Sequence, residues 1–287
     1  LSFAENKIAK KSFEEKLVNN IKQDSKSFYA YASSKKRVNN KVGPLKDNSG
    51  KIVNENKLNA NLLNNYFSSV FTNENLISIP SPIKIFNENF DNFFNSLNIT
   101  EIVFEKLCKI NVNKSQGPVQ IHGKLLYELR SELVKPLTKL YRLSIETGIV
   151  PQDWRDANVS PLYKKSSREK TENYRPVSLT SIICKILESI LKDVIVEHFE
   201  KHNLIRSSQH GFTSGRSCLT NLLDFFEVIT KEIDKGSNVD LIYLDFSKAF
   251  DKVPYKRLNK KLESHGISGN ILQWVQNWLS NRRQRVG

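Results

Sequence analysis

The residues with the clearest chemical potential lie at positions 241–253, LIYLDFSKAFDKV. The first four suit burial on both faces of a sheet. Asp245 follows where such a strand runs out. That position gives its carboxylate a rigid base and an exposed head, which suits a hard cation such as Mg2+. A plainer role is also open, because Asp245 or Ser247 can cap the turn that follows. Asp251 stands after one further helical turn, either supporting the site from behind or as a surface charge.

A second group spans positions 158–179, NVSPLYKKSSREKTENYRPVSL. A strand carrying Lys164 and Lys165 passes through a polar turn into Asn173, Tyr174, Arg175 and Pro176. A basic hairpin of this kind can hold a triphosphate, with arginine as a planar fork and lysine as a point charge. Taken alone it is equally an ordinary solvated hairpin. A third group, QHGFTSGRS at 209–217, offers Gly211 and Gly215 for close backbone approach or positive φ, and Arg216 for phosphate. Two other patterns are set aside. GPVQIHGK at 117–124 has five residues between its glycines, and Leu125 stands where a P-loop needs Ser or Thr. His198 and His202 have zinc-like spacing on a helical stretch, but no HExxH glutamate and no third ligand accompany them.

The elements that must position these groups are mostly helical. Apolar spacing predicts helices over 5–32, 56–71, 181–201, 217–235, 255–264 and 270–280. Thr100 can cap another, and 124–147 gives helical segments broken near Pro136. Strands are expected at 158–164 and, as a compact buried element, at 239–246. Turn signals make 34–51 a loop, and the Asn- and Pro-rich 73–98 reads as a linker, with Asn98 as the domain boundary. Few strands among many helices argue for an α+β or mixed α/β fold.

Composition narrows the partners. The 287 residues carry a net charge of +14, which favours a polyanion, nucleic acid or an anionic membrane surface, although a Lys-rich solvated surface has the same arithmetic. No apolar run approaches a membrane span, and no secretory start is visible. Three widely spaced cysteines exclude a disulfide scaffold and a cysteine-based zinc site. The chain has no Met, so it reads as a piece of something longer.

In order, the segments NKSQGPVQI, DWRDANVSPLYKK, ENYRPVSLTSIICKILESIL, QHGFTSGRS, YLDFSKAFDKV and HGISGNILQWVQNWLSNRRQRV resemble a non-LTR (LINE-type, jockey-like) retrotransposon reverse transcriptase over about 100–287. The upstream helix and NNYFSSVFTNE resemble the segment that joins endonuclease and polymerase in such elements. The resemblance implies an RNA-directed DNA polymerase of right-hand architecture. It divides the chain into a helical pre-polymerase region (1–98), fingers (99–238) and the start of a palm (239–287). It makes Asp245 the catalytic, metal-binding aspartate and Phe246 a backbone-carbonyl ligand of the same Mg2+. Phe250 becomes the aromatic gate against a ribose 2′-hydroxyl. Arg175, with Lys164 or Lys165, becomes the dNTP-binding set, and Lys114, Gln209, Gly211 and Arg216 become nucleic-acid contacts. The implied partners are an RNA template, a DNA primer and dNTP, with no membrane.

Three departures stand out. Val119 and Gln120 replace the family's Asp-Gly, a change expected to perturb that loop. Tyr255 stands where His is common, and the family's paired-aspartate segment is not among these residues. Asp245 alone cannot hold two metal ions. The chain by itself is therefore expected to bind nucleic acid weakly, with salt-sensitive affinity, and not to polymerise. The competing reading is a non-catalytic, domesticated or decaying remnant that uses only the basic surface.

Overall fold

Helices predominate in a mixed α/β fold, seen here in a computed structural model that describes residues 3–35, 42–86 and 97–287. In chain order the elements are α1 (Phe3–Asn19), α2 (Ser25–Lys35), β1 (Leu45–Lys46), β2 (Ile52–Val53), α3 (Asn56–Ser69), α4 (Ile99–Cys108), α5 (Gly123–Glu128) and α6 (Arg130–Thr147). They continue as α7 (Gln152–Arg155), β3 (Asp156–Tyr163), β4 (Tyr174–Leu179), α8 (Ile182–Lys201), α9 (Cys218–Asp234), α10 (Tyr255–Ser264), α11 (Gly269–Leu279) and β5 (Arg283–Val286). No helix among the described residues is long and apolar enough to cross a membrane.

The main core is helical. Val103 and Leu107 of α4, Leu137, Tyr141 and Ile145 of α6, Leu187, Ile190, Leu191 and Val194 of α8, and Ile271 and Trp274 of α11 are buried together. Their three- and four-residue spacing puts one apolar stripe of each helix on a shared interior. The Tyr141, Trp274 and Ser144 polar atoms drawn into it are satisfied. The Tyr141 hydroxyl donates to the Ile183 carbonyl at 2.8 Å. Trp274 Nε1 donates to Ser144 Oγ at 2.9 Å, and that hydroxyl donates to the Ile149 carbonyl at 2.7 Å. Burial pushes the Tyr141 hydroxyl pKa up, so it stays a neutral donor.

A smaller core holds the part of the fold that matters for the site. Leu63 and Phe67 of α3 pack with Leu45, Val159 of β3 and Tyr174 of β4. The upstream helix is thereby fixed to the β3–β4 hairpin. That hairpin is antiparallel, with Leu162 opposite Arg175 and Tyr163 opposite Tyr174. On the other edge of β3, β5 pairs in parallel, giving the order β4-β3-β5. Arg283 clamps this pairing through a bidentate contact to Asp156 (Nε 3.0 Å and Nη2 2.8 Å), which holds the Asp156 carboxyl below the usual carboxylate range.

Several expectations need correction. The long N-terminal helix is two helices: the chain turns at 20–24, and Asp24 accepts from the Ser27 amide at 3.1 Å to start α2 afresh. The 34–51 loop contributes one strand of a two-residue ladder that pairs with residues just past it, Leu45 opposite Val53. Residues 36–41 of that loop and 87–96 of the linker lie outside the described residues. Asn98, rather than Thr100, is the residue flanking the start of α4. The break between α5 and α6 falls at Leu129, where Arg130 Nη1 donates to the freed Tyr127 carbonyl at 2.6 Å. Pro136 stays inside α6, where packing on both sides of it outweighs the one hydrogen bond it removes.

The largest correction concerns 239–246. It forms no strand: its backbone has no ladder partner among the described residues, and Leu244 is 89% exposed. Strand-competent sequence becomes a strand only where neighbouring strands accept its amides and carbonyls. Helix α9 shares this exposure. Ser217 and Thr220 form a reciprocal capping box at its start, yet none of its residues is buried. β5, conversely, was not anticipated, because RQRV carries no strand-like apolar pattern.

The GPVQI loop needs its glycine at one end and holds a strained glutamine near the other. A Cβ on Gly117 would sit 2.4 Å from the Thr180 carbonyl oxygen, so only glycine lets this loop lie against the start of α8. Gln120 adopts φ 57°, the left-handed region. The departure from the family's glycine at this position therefore leaves the turn formed and strains it. Gln120→Gly is expected to raise stability by about 1 kcal/mol, the relieved left-handed strain less the added freedom of the unfolded chain. Urea denaturation checks this; an unchanged or lower midpoint contradicts it.

Candidate functional site

The hairpin presents its basic residues from a rigid base. Tyr174 is buried, and its hydroxyl donates to the Arg168 carbonyl at 2.8 Å. Tyr163 and Tyr174 meet edge to face at 5.7 Å, and the Arg168 guanidinium lies over the Tyr163 ring at 4.5 Å. The Lys164 amide donates to the Asn173 carbonyl at 2.8 Å, extending the ladder into the turn. The turn is itself tied to β1 by the Lys46–Glu169 ion pair at 2.6 Å. Lys164, Lys165 and Arg175 are exposed, and their side chains make no hydrogen bond or ion pair among the described residues.

Facing this hairpin is the loop after the apolar run. Residues 245–251 turn back on themselves, with the Lys252 amide donating to the Lys248 carbonyl at 3.1 Å and the Val253 amide to the Phe250 carbonyl at 3.3 Å. The upstream segment holds this loop. Thr72 Oγ1 donates to the Lys252 carbonyl at 2.9 Å, and the Glu74 carboxylate accepts from the Lys256 and Arg257 amides at 3.0 and 3.2 Å. That carboxylate sits at the N-terminus of α10, where the orphan amides and the helix dipole both favour negative charge.

Between hairpin and loop lies a groove of about 870 Å3, walled by Lys164, Tyr174 and Arg175 on one side and by 245–251 on the other. Tyr66 and Phe67 of α3, with Val70 just past its end, form a third wall. The fold thus brings Lys164, Arg175, Asp245, Phe246 and Phe250 to one cavity although they are distant in the chain. Asp251 lines it as well, and Glu172 enters from the hairpin, 3.8 Å from Lys170. The Asp245 carboxylate makes no hydrogen bond or ion pair among the described residues.

The other singled-out residues lie off this groove. Lys114 is exposed on the loop before α5. The Gln209 amide donates to the Gly211 carbonyl at 2.9 Å, and Arg216 donates to the Ser207 carbonyl, so the loop is folded on itself. His210, mostly buried, anchors it to α9 through Thr220 Oγ1 (3.0 Å) and the Asp224 carboxylate (3.0 Å). Gly215 has positive φ as expected, but at the other glycine it is the neighbour Phe212 that takes the left-handed conformation. Phe212 then meets Phe250 edge to face at 6.0 Å, which is how this loop reaches the groove. His198 is engaged elsewhere, with Nε2 2.8 Å from the His265 carbonyl and Phe86 against its ring.

Sequence reasoning assigned no role to Tyr66, Phe67, Val70 or Lys248. The signal was available in LNNYFSSVF, where Leu63 and Phe67 mark the buried face and Tyr66 stands beside it. Nothing local shows which distant loop such a residue meets.

The groove thus has cations on one wall and a carboxylate beside an aromatic on the other, none of these side chains with a hydrogen bond or ion pair among the described residues. Residues 163–287 match the family described as reverse transcriptase (RNA-dependent DNA polymerase), a stretch that takes in β4 and the whole 245–251 loop. The chain is 22% identical over 248 residues to the "Probable RNA-directed DNA polymerase from transposon BS" of Drosophila melanogaster, covering 83% of this chain and 27% of that protein. It is 24% identical over 185 residues to the corresponding protein from transposon X-element of the same fly, covering 64% and 20%. It is 22% identical over 187 residues to the "RNA-directed DNA polymerase from mobile element jockey" of Drosophila funebris, covering 65% and 20%. Over these stretches the chain is similar to the RNA-directed DNA polymerases of non-LTR retrotransposons, and it spans about a quarter of the length of the first of these proteins.

Proposed function

We propose that this chain forms the nucleotide-receiving part of an RNA-directed DNA polymerase of a non-LTR mobile element. The carrying observation is the shared groove, which unites the hairpin cations with Asp245 and Phe250. In this reading residues 1–98 are a pre-polymerase region, 99–238 the fingers and 239–287 the start of the palm of a right-hand polymerase. Lys164 and Arg175, which line the groove, bind the triphosphate of an incoming dNTP, while Lys165, next in the chain, lies outside the lining. Phe250 packs under the sugar and excludes a 2′-hydroxyl, braced by Phe212 at 6.0 Å. Lys114, Gln209, Gly211 and Arg216 contact the RNA template and DNA primer, and the +14 charge draws both in.

The metal implied by the family is Mg2+, and the donors on the loop fit it. Asp245, Asp251 and the Phe246 carbonyl are hard oxygen groups, as Mg2+ prefers. Among the described residues no cluster of three or more His, Cys, Asp or Glu could hold an ion. The donors therefore suit an ion that completes its shell with triphosphate oxygens and water. When bound, it would neutralise phosphate charge and polarise the transferring phosphoryl group. The chain's own part is to orient the triphosphate against Asp245 and to keep the sugar on Phe250.

Calorimetric titration of the chain with dTTP, with and without Mg2+, tests this. Binding is expected to be stronger with Mg2+, and Asp245→Asn is expected to abolish that gain. A chain that uses only its basic surface would bind RNA in a salt-dependent way and leave Asp245→Asn silent, and that result overturns the proposal.

A further inference from the structure

The groove contains a cation that the reading above leaves without a role. Lys248, three residues after Asp245, lines the cavity. Its ammonium is 2.5 Å from the Tyr66 hydroxyl and 4.3 Å from the centroid of the Tyr66 ring. It is held at the lip of α3 by a hydrogen bond and a cation–π contact together. An ammonium has three donors, and Tyr66 takes one. Lys248 also carries φ 54°, a left-handed backbone that a non-glycine residue keeps only where its surroundings impose it.

Tyr66 is well placed to impose it. Its neighbours on α3, Leu63 and Phe67, are buried against Val159 and Tyr174 of the hairpin that presents Lys164 and Arg175. Through Tyr66 one rigid unit reaches across to the loop that carries Asp245. The charges in the groove also leave room for a third cation. Glu172 has Lys170 nearby, and Asp245 with Asp251 suits a divalent ion, so a triphosphate would otherwise meet only Lys164 and Arg175.

We propose that Lys248 is a third triphosphate-binding cation and that Tyr66 is its positioning residue, which makes the upstream helix α3 part of the nucleotide site. The inference rests on the reading of the groove as a dNTP site. It extends that site beyond the matched stretch, which begins at residue 163, to an element near residue 66.

The test is calorimetric titration of the 287-residue chain in Mg2+ with dTTP and, separately, with inorganic triphosphate. Lys248→Ala is expected to weaken both probes about ten-fold, and Lys248→Arg to recover most of the loss, since a charged hydrogen bond is lost and then replaced. Tyr66→Phe keeps the ring and removes the acceptor, and is expected to weaken binding about three-fold. In a Lys248→Ala background the same change is expected to do nothing, because Tyr66 acts through Lys248. Tyr66→Phe and Lys248→Arg are mild enough to keep the fold, which thermal midpoints verify. Unchanged affinity in Lys248→Ala, with binding still weakened by Arg175→Ala, overturns this inference and leaves the dNTP site standing. Equal losses from Tyr66→Phe in both backgrounds overturn the positioning role. A chain that binds neither probe, or is indifferent to Arg175→Ala, overturns the site and this inference with it.

Discussion

Arg175→Ala is expected to weaken dTTP binding in Mg2+ by about 2 kcal/mol, roughly thirty-fold, while leaving the melting temperature unchanged. The size follows from where the residue stands. Its backbone is locked in β4 opposite Leu162, one position after the buried Tyr174, so the guanidinium starts from a fixed point. Its side chain is exposed, with no internal hydrogen bond or ion pair among the described residues, so removing it costs the fold nothing. A guanidinium can meet two phosphate oxygens at once, whereas an ammonium on the same stem meets them as a point charge. Arg175→Lys is therefore expected to recover only part of the affinity. Calorimetry on the three chains decides the matter, and equal affinity for wild type and Arg175→Ala would remove the hairpin from the site.

Trp274→Ala is expected to cost about 3–5 kcal/mol of folding stability. Trp274 is 2% exposed at the centre of the helical core and stacks on Trp278 with ring centroids 6.1 Å apart. Its indole N–H is the donor that satisfies Ser144 Oγ, a hydroxyl already committed to the Ile149 carbonyl just beyond the end of α6. Alanine would open a cavity between α6 and α11 and remove that hydrogen bond together. Trp274→Phe fills most of the space and is expected to lose about 1–2 kcal/mol, chiefly the unpaired polar group. Urea denaturation followed by circular dichroism measures both. A loss below 1 kcal/mol for the alanine variant would mean that α11 contributes little to the core.

The two substitutions separate what a groove needs from what a fold needs. Arg175 and Asp245 are exposed, and their side chains make no hydrogen bond or ion pair among the described residues, so their chemistry is available to a ligand. Trp274, Tyr141 and Ile190 are buried, and their chemistry is spent on one another. Part of the basic charge that first suggested a polyanion is carried by residues of the first kind, and part is paired with carboxylates, as in Lys46–Glu169 and Arg283–Asp156.

Much was legible because it is local. Helix α8 was readable from 181–201, since Ile183, Ile186, Leu187, Ile190, Leu191 and Val194 repeat at helical spacing and Ser181 caps them. The β3 strand was readable from NVSPLY, and α9 from its apolar spacing over 217–235. The resemblance to a reverse transcriptase was readable because its motifs stand in order along the chain. Where the outcome depended on distant partners, the same patterns misled. Residues 239–246 have the composition of a buried strand but lack a ladder, whereas RQRV lacks the composition and pairs with β3 because Asp156 holds Arg283 there.

The helices, the basic character, the resemblance to a reverse transcriptase and the identities of Asp245, Lys164 and Arg175 as groups worth watching can all be read from the linear sequence. Each of these depends on residue type and near-neighbour spacing, which a linear string records. Only the tertiary structure decided that these groups share one groove, that α3 supplies its third wall, and that Lys248 is held by Tyr66. The reason is physical. Hydrogen bonds and packing act over a few ångströms, and which distant residues come that close is set by burial of the Leu63, Phe67, Val159 and Tyr174 cluster, a property of the folded chain as a whole.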